Sequence, residues 1–220
     1  MQVSIVEKLL NLQKRKSPGF FVEAGAGCGE FISNTLYLEL KYNWTGLLVE
    51  PNPDLLKLLL SKHRNSWILP HCLSTTPYVE VVDFDASMYN GGIILEGKIK
   101  PSMLDRDIKE NPLKDFEREI RVQCFPLFSV LKALDAMHID YFSLDIEGAE
   151  FAVLKTIPWN KINVTLLGVE VNHAGDIFSG TEREIIELLE DQGFELKATA
   201  VNDIFFLNKS CKKPSNKSRK

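Results

Sequence analysis

The sequence predicts an α/β domain in which a mostly parallel β-sheet lies between two layers of helices, a three-layer sandwich. Nearly continuous apolar runs, such as 20–23 and 45–50, are typical of strands that are buried on both faces of a sheet. Segments with helical spacing of apolar residues alternate with these runs, as expected when crossover helices join parallel strands. Two consecutive β-type runs within 194–208 predict an antiparallel C-terminal edge.

Each remaining element rests on a local signal. Apolar residues at helical spacing predict an N-terminal helix within 1–16, which ends before the Ser17-Pro18-Gly19 break. Pro53 is typical of the first turn of a helix. Further strands are predicted at 66–72, 79–84, 120–125, 140–146 and 164–172, and further helices at 30–42, 127–137, 149–157 and 182–192.

The chain of 220 residues is long enough for one domain with a single hydrophobic core, which we expect over 1–208. Residues 87–119 combine Gly91-Gly92, Pro101 and Pro112 with mixed charges, and long irregular segments inside a domain are usually functional. We therefore expect an insertion or lid there. Residues 209–220 carry six basic side chains and no acid, which predicts a disordered basic tail.

Composition excludes several classes of protein. Hydrophobic residues make up 45% and charged residues 25%, as in globular proteins, so a disordered chain or a coiled coil is excluded. Residues 1–208 hold 20 basic and 30 acidic side chains, and this acidic balance predicts no binding to nucleic acid. No apolar run approaches the roughly 18 residues of a membrane span, so the chain as it stands is expected to be soluble and cytoplasmic.

A glycine-rich turn follows the first predicted strand. Gly25, Gly27 and Gly29 alternate along it, and Glu23 precedes the first glycine by two residues. Glycines without a Cβ let a ligand approach the backbone, but the spacing differs from the G-x-G-x-x-G pattern of dinucleotide-binding proteins. An anionic Glu23 suits an ammonium group better than a pyrophosphate. The alternative is a tight strand-to-helix connection without a ligand.

Glu50 ends the second predicted strand, 25 residues after Gly25. An acid at this position can accept hydrogen bonds from both hydroxyls of a ribose. The alternative is an ordinary solvated glutamate. The third strand is followed by Leu73 and Ser74, which by position alone are the candidates to pack against and hydrogen-bond an adenine ring.

Acidic residues cluster after the strand at 140–146, in Asp145-Ile-Glu147-Gly-Ala-Glu150. Charge beside a buried core is costly unless it is used, so the cluster predicts a site. Asp145, Glu147 or His173 could act as a general base toward a hydroxyl. The alternative for His173 is a loop histidine with one hydrogen bond, and Glu150 could simply favour the N-terminus of its helix.

A divalent cation is a second use for the same end of the sheet. Glu170 and Asn172 end the next predicted strand, so their oxygens are expected near Asp145. Hard cations such as magnesium and calcium prefer carboxylate and amide oxygens. The sequence thus predicts a candidate metal site formed by Asp145 with Glu170 or Asn172.

Several of these segments together resemble one known family. Glu23-Ala-Gly-Ala-Gly-Cys-Gly29, Glu50-Pro-Asn52 and Asp145-Ile-Glu-Gly-Ala-Glu150 resemble the FkbM-type methyltransferases, and Asp140-Tyr-Phe-Ser-Leu144 with Trp44-Thr-Gly-Leu-Leu-Val49 is similar to the arthropod Star-like branch. The resemblance covers about 19–207. It implies a class I, Rossmann-like fold that binds S-adenosylmethionine, with Glu23, Gly25, Gly27 and Gly29 at the methionine end and Glu50 at the ribose.

The resemblance implies two kinds of function. FkbM-type enzymes methylate hydroxyl groups, so the expected partner is a small-molecule or glycan acceptor. The Star-like branch instead implies a trafficking factor for a growth-factor precursor or other cargo protein in EGF-receptor signalling, associated with the ER, Golgi or endosomes. The sequence contains no apolar run that could serve as the membrane anchor that such proteins carry before the domain, so we expect no membrane span in this chain as it stands. If the domain faces a lumen, Cys72 and Cys124 could pair.

Overall fold

The computed structural model describes residues 2–87, 89–98 and 119–210. Its strands are β1 (Phe20–Ala24), β2 (Thr45–Val49), β3 (Trp67–Leu69), β4 (Cys72–Leu73), β5 (Glu80–Asp85), β6 (Glu119–Phe125), β7 (His138–Leu144), β8 (Asn163–Glu170), β9 (Phe194–Ala200) and β10 (Asp203–Asn208). Its helices are α1 (Gln2–Leu9), α2 (Leu36–Tyr42), α3 (Pro53–Ser61), α4 (Leu127–Ala133), α5 (Glu150–Thr156) and α6 (Glu182–Asp191), with a 3₁₀ turn at Leu12–Lys14.

Seven strands form the main sheet in the order β3-β2-β1-β7-β8-β10-β9. Within this order, β3, β2, β1, β7 and β8 run parallel to one another, whereas β10 runs antiparallel to both β8 and β9. The C-terminal hairpin therefore supplies the antiparallel strand, one position in from the edge. Strand order reverses between β1 and β7, and ligands of such sheets bind outside the carboxyl ends of the strands at this point.

Apolar side chains fill both faces of the sheet and make it the middle layer of three. Phe21 and Val22 are successive residues of β1, so their side chains point to opposite faces. Phe21 packs in a cluster with residues of α1, α2 and α3, and Val22 in a cluster with residues of α4, α5 and α6. The three-layer α/β sandwich predicted from the sequence is confirmed.

A second, smaller sheet has the order β4-β6-β5. Cys72 of β4 lies opposite Cys124 of β6, and the two residues form a disulfide with their Cα atoms 4.3 Å apart. The strand predicted at 66–72 is therefore two strands in two sheets. Pro70 separates them, because proline has no N–H to continue the hydrogen-bond ladder.

The helix predicted at 30–42 begins only at Leu36. Ile32 has φ 53°, a left-handed conformation that a β-branched residue rarely adopts and that is incompatible with a continuous helix. The next residues are held as a loop, because Glu23 accepts hydrogen bonds from the Ser33 hydroxyl and the Asn34 amide. The prediction missed a constraint supplied from ten residues upstream.

The predicted insertion at 87–119 lies mostly outside the described residues, as does most of the predicted tail at 209–220. The part of the insertion that precedes residue 99 runs close to β5, where Ile93 forms a bridge with Phe84. Within the described ranges, no helix is long and apolar enough to cross a membrane.

Candidate functional site

A pocket opens at the carboxyl ends of β1, β2 and β7, where the strand order reverses. Its empty space, including the open mouth, is about 860 Å³. Its lining includes Gly25, Gly27, Glu50, Leu73, Asp145 and Glu147, six of the residues that the sequence predicts for a site. The structure thus brings together groups that are up to 122 positions apart in the sequence.

The glycine turn packs directly on the end of β7. Gly25 has φ 82°, and a Cβ on it would lie 1.8 Å from the carbonyl oxygen of Asp145, so only glycine fits. The Asp145 amide donates to the carbonyl of Ala24, and the Gly25 amide to that of Val49, both at 3.1 Å. The turn is therefore held between the two strands that flank it.

Glu50 joins the turn to the end of β2. Its Oε2 accepts a hydrogen bond from the Gly27 amide and its Oε1 accepts one from the Asn52 amide, each at 2.8 Å. Burial raises the pKa of this carboxyl to about 7. Each carboxylate oxygen has a second lone pair, so Glu50 can still accept hydrogen bonds from a ligand in the pocket.

Glu23 does not line the pocket, although the sequence predicts it at the methionine end. Its carboxylate is buried and accepts hydrogen bonds from Asn34 N at 2.6 Å, Ser33 Oγ at 2.9 Å and Thr35 Oγ1 at 2.5 Å. Burial raises its pKa. Glu23 therefore positions the 33–35 loop, and the loop rather than the glutamate borders the pocket.

Arg64 supports the same loop from the opposite side. Its guanidinium donates to Ser33 Oγ at 3.2 Å and Thr35 Oγ1 at 3.1 Å, and to the carbonyl of Gly29. It also forms a buried ion pair with Glu39 at 2.6 Å. This pair connects the end of the glycine turn to α2.

Two further predicted cofactor residues lie outside the pocket lining. Gly29 has φ 77° and serves the turn itself, since a Cβ there would meet Leu59 at 2.3 Å. Ser74 Oγ donates to the Glu80 carboxylate at 2.6 Å, so its hydroxyl serves a turn between β4 and β5. Leu73 does line the pocket, together with the disulfide residue Cys72.

Asp145 and Glu147 border the pocket opposite Glu50. Burial and the nearby charge of Glu150 raise the pKa of Asp145 to about 7. Glu147 adopts φ 58°, an uncommon conformation for a residue with a side chain, and such strain concentrates at functional sites. Both carboxylates line the pocket, and the raised pKa of Asp145 suits a group that accepts a proton near neutral pH.

His173 is buried behind Glu147 and does not line the pocket. Its Nε2 lies 3.4 Å from Glu147 Oε2, and its Nδ1 lies 3.5 Å from Asp176 Oδ2. Asn172 is exposed, and its amide nitrogen lies 3.1 Å from His173 Nε2. His173 is therefore placed to orient Glu147 rather than to touch a ligand itself.

A group of three acids adjoins the pocket through Asp145, whereas its other two members do not line the pocket. Asp145, Glu150 and Glu170 each place a carboxylate oxygen within 4.8 Å of the others. Burial is the main cause that raises the pKa of Glu150 to about 7 and that of Glu170 to about 9, and the neighbouring carboxylates raise that of Glu170 further. The sequence predicts Asp145 and Glu170 here but assigns Glu150 only to the start of its helix.

Sequence reasoning missed several residues that line the pocket. Asn34 bridges the 33–35 loop to β7 through Ser143 Oγ at 3.0 Å. Phe31 and Tyr89 pack together at the pocket mouth with ring centroids 5.4 Å apart. Asn52 caps α3 by accepting from two backbone amides, and only this residue had a sequence signal, its position before Pro53.

The profile of the methyltransferase FkbM domain family matches residues 23–196, which include the glycine turn, Glu50 and all three acids of this group. The chain belongs to this family. Membership makes it a domain of the S-adenosylmethionine-dependent methyltransferases with a class I, Rossmann-like fold. The match does not separate the Star-like branch from the rest of the family. A search of curated proteins finds no significant match.

Several solved structures share the architecture at low similarity. Methyltransferase FkbM from Methylobacillus flagellatus KT is 13% identical with a TM-score of 0.47, over 88% of this chain and 44% of that one. A precorrin-6y C5,15-methyltransferase from Geobacter metallireducens is 12% identical with a TM-score of 0.44, over 92% and 85% of the chains. The Burkholderia thailandensis 1,6-didemethyltoxoflavin-N1-methyltransferase, with bound S-adenosylhomocysteine, is 14% identical with a TM-score of 0.43, over 93% and 74%.

This chain spans less than half the length of the Methylobacillus structure. With TM-scores below 0.5, these likenesses carry no argument about the reaction or its acceptor. Those questions rest on the pocket itself.

Proposed function

We propose that this domain transfers the methyl group of S-adenosylmethionine to a hydroxyl group of a small-molecule or glycan acceptor. The observation that carries the proposal is that Glu50, which accepts a hydrogen bond from the glycine turn, lines the same pocket as Asp145 and Glu147. Packing explains the glycine at position 25, but it does not require three acids to line one cavity.

The pocket residues fit S-adenosylmethionine in their chemistry. Gly25 and Gly27 leave backbone open to the pocket, and Glu50 keeps lone pairs for the two ribose hydroxyls. Leu73 and Cys72 provide an apolar wall for the adenine. When bound, the cofactor supplies a methyl group already activated by its sulfonium. The protein must align the acceptor and take one proton.

Asp145 is the proposed general base. It lines the pocket, and burial beside Glu150 raises its pKa to about 7, which suits a base that accepts a hydroxyl proton near neutral pH. Glu147 is the alternative base, since it also lines the pocket and is oriented by His173. In either case the acceptor oxygen gains a methyl group and loses its proton to the carboxylate.

The disulfide between Cys72 and Cys124 is evidence about the cellular compartment in which the domain works. Structural disulfides persist in oxidising environments and are rare in the cytosol. Because Cys72 and Cys124 are bonded, we infer that the domain works in an ER, Golgi or other lumen rather than in the cytoplasm. Thiol trapping of the protein from intact cells tests this inference, and finding both thiols fully reduced would refute it.

Calorimetric titration with S-adenosylhomocysteine and, separately, with NADH tests the cofactor assignment. We expect binding of the first ligand alone. Glu50→Ala should weaken it by about 1–3 kcal/mol, the cost of losing charge-assisted hydrogen bonds. Glu30→Gln is a matched control, because Glu30 follows the same turn but is exposed and paired with Lys62.

The outcomes separate the candidate functions. No binding of S-adenosylhomocysteine to the wild-type domain would refute the proposal. An unchanged affinity in Glu50→Ala would remove the ribose assignment. Binding without transfer to any hydroxyl acceptor would favour the non-catalytic alternative, a cofactor-binding module that interacts with a cargo protein.

A further inference from the structure

Three carboxylates meet beside the pocket without a cation to balance them. Asp145, Glu150 and Glu170 come from the end of β7, the start of α5 and the end of β8. Among the described residues, no lysine, arginine or histidine forms an ion pair with any of the three. Among the described residues, the neighbouring charges that raise the pKa of Asp145 and of Glu170 are carboxylates. Burying like charges in this way is costly unless something neutralises them.

One carboxylate oxygen of Glu170 accepts no hydrogen bond from a described residue. Glu170 is 8% exposed, and its Oε1 accepts a hydrogen bond from the Asn172 amide at 2.6 Å. Its Oε2 is fully buried and has no hydrogen-bond partner among the described residues. A buried carboxylate oxygen normally accepts a hydrogen bond or binds a metal, so this unpartnered oxygen beside two other carboxylates points to a ligand.

The Glu150 carboxylate is already held in place by backbone amides. Glu150 Oε1 accepts hydrogen bonds from the Ile146 amide at 2.7 Å and the Gly148 amide at 3.3 Å. These bonds fix the side chain against the loop that follows β7. Asp145 has no side-chain hydrogen bond to a described residue, which leaves both of its oxygens available. Two of the three carboxylates, those of Glu150 and Glu170, are thus oriented by backbone amides before any ligand enters.

We propose that Asp145, Glu150 and Glu170 bind one hard divalent cation, with calcium-like rather than zinc-like preferences. The ligands are all oxygens, which favours magnesium, calcium or manganese over metals that prefer imidazole or thiolate. The three oxygens lie within 4.8 Å of one another.

This ligand set differs from the one expected from the sequence. Asp145 and Glu170 are retained, but Glu150 replaces Asn172, whose side chain is exposed and lies beside His173. If the proposed methyl transfer is correct, the cation would lie next to the pocket through Asp145 and could bind the acceptor oxygen, which lowers the pKa of a hydroxyl. Only this role rests on the proposed function; cation binding does not.

The test is thermal unfolding of the EDTA-treated protein, titrated with CaCl₂, MgCl₂ or MnCl₂ alone. A cation that binds only the folded state should raise the Tm with concentration. Glu170→Gln should have a higher Tm than wild type in EDTA, because a repelling charge is gone, yet its affinity for the cation should fall roughly tenfold or more. Glu150→Gln should show the same loss. Asp176→Asn, an equal charge change outside the site, should respond like wild type.

Two results would overturn the proposal: a wild-type Tm that none of the three cations changes, or a Glu170→Gln response equal to that of wild type. The same thermal-unfolding experiment is repeated with S-adenosylhomocysteine as a separate ligand. A Tm rise with this ligand but not with cations would refute the metal site and leave the methyltransferase function in place. A rise with cations alone would support the metal site and count against that function.

Discussion

The disulfide between Cys72 and Cys124 connects β4 to β6, and Cys72 also lines the cofactor pocket. The bond closes a loop in which the two cysteines are 52 positions apart. In the sequence, that loop contains β5 and the segment at 87–119 that is expected to form an insertion or lid. The disulfide thus fixes the pocket wall at Cys72 to β6 of the small sheet.

Removing this bond should destabilise the protein and weaken cofactor binding. A disulfide of this span contributes about 2–5 kcal/mol, so we expect the Cys72→Ala/Cys124→Ala variant to lose that much free energy of unfolding in urea. Dithiothreitol should lower the urea midpoint of wild type and leave that of the double variant unchanged. Equal midpoints for reduced and oxidised wild type would show that the bond does not stabilise the fold.

Arg64 should matter far more than a surface arginine. Arg64→Ala leaves Glu39 buried without its partner and removes the donors to the 33–35 loop, so we expect a loss of about 3–5 kcal/mol in unfolding free energy. Arg183 pairs with Glu187 on an exposed helix face, and Arg183→Ala should cost about 0.5 kcal/mol. Similar losses in the two variants, measured by urea unfolding, would contradict the positioning role of Arg64.

The buried acids predict the direction of the pH dependence of stability. The pKa values of Asp145 and Glu150, at about 7, and of Glu170, at about 9, lie above their ordinary values of 3.8, 4.5 and 4.5. The folded state therefore binds protons more tightly than the unfolded state. The unfolding free energy from these groups is greatest below about pH 4 and is lost as the pH rises through 7 to 9.

In EDTA, the Tm should therefore fall between about pH 5 and pH 9, and Glu170→Gln should flatten the part of the curve above about pH 7. The groups that face Glu170 are all acidic: Asp145, Glu147 and Glu150 by their charge, and Asp203 opposite it in the β8–β10 pairing. A Tm that rises with pH across this range, or an identical slope in the variant, would show that folding does not raise the pKa values of these carboxyls.

Asp145→Asn should separate cofactor binding from methyl transfer. The substitution keeps the shape of the side chain but removes its basicity, so the affinity for S-adenosylhomocysteine should change by less than about threefold while transfer is abolished. Transfer of tritiated methyl groups from S-adenosylmethionine to a panel of hydroxyl acceptors measures the second effect. Full activity in Asp145→Asn with loss in Glu147→Gln would move the base to Glu147.

The alternation of strands and helices could be predicted because it is a local property. Continuous apolar runs identify β1, β2, β7 and β8 from their own residues, and parallel strands place Gly25, Glu50 and Asp145 at one end of the sheet. The position of the candidate pocket could be predicted from that rule alone. The role of each side chain in the pocket could not.

The errors arose where distant residues decide the outcome. Glu23 lies in β1 as expected, yet the direction of its side chain is fixed by hydrogen-bond donors at 33–35, and the same bonds stop the helix that would otherwise begin at 30. Glu150 has a helix-start signal, and its place beside Glu170 depends on β8 being the neighbour of β7. Neither relationship is visible in a window of sequence.

The most direct test of the account is a crystal structure of the domain with S-adenosylhomocysteine. We expect the two ribose hydroxyls to donate to the Glu50 carboxylate at about 2.5–3.0 Å, with the methionine end over Gly25 and Gly27. The sulfur should then face Asp145 and Glu147. A ligand bound elsewhere, or a ribose out of reach of Glu50, would contradict the central claim that this pocket is a methyl-transfer site.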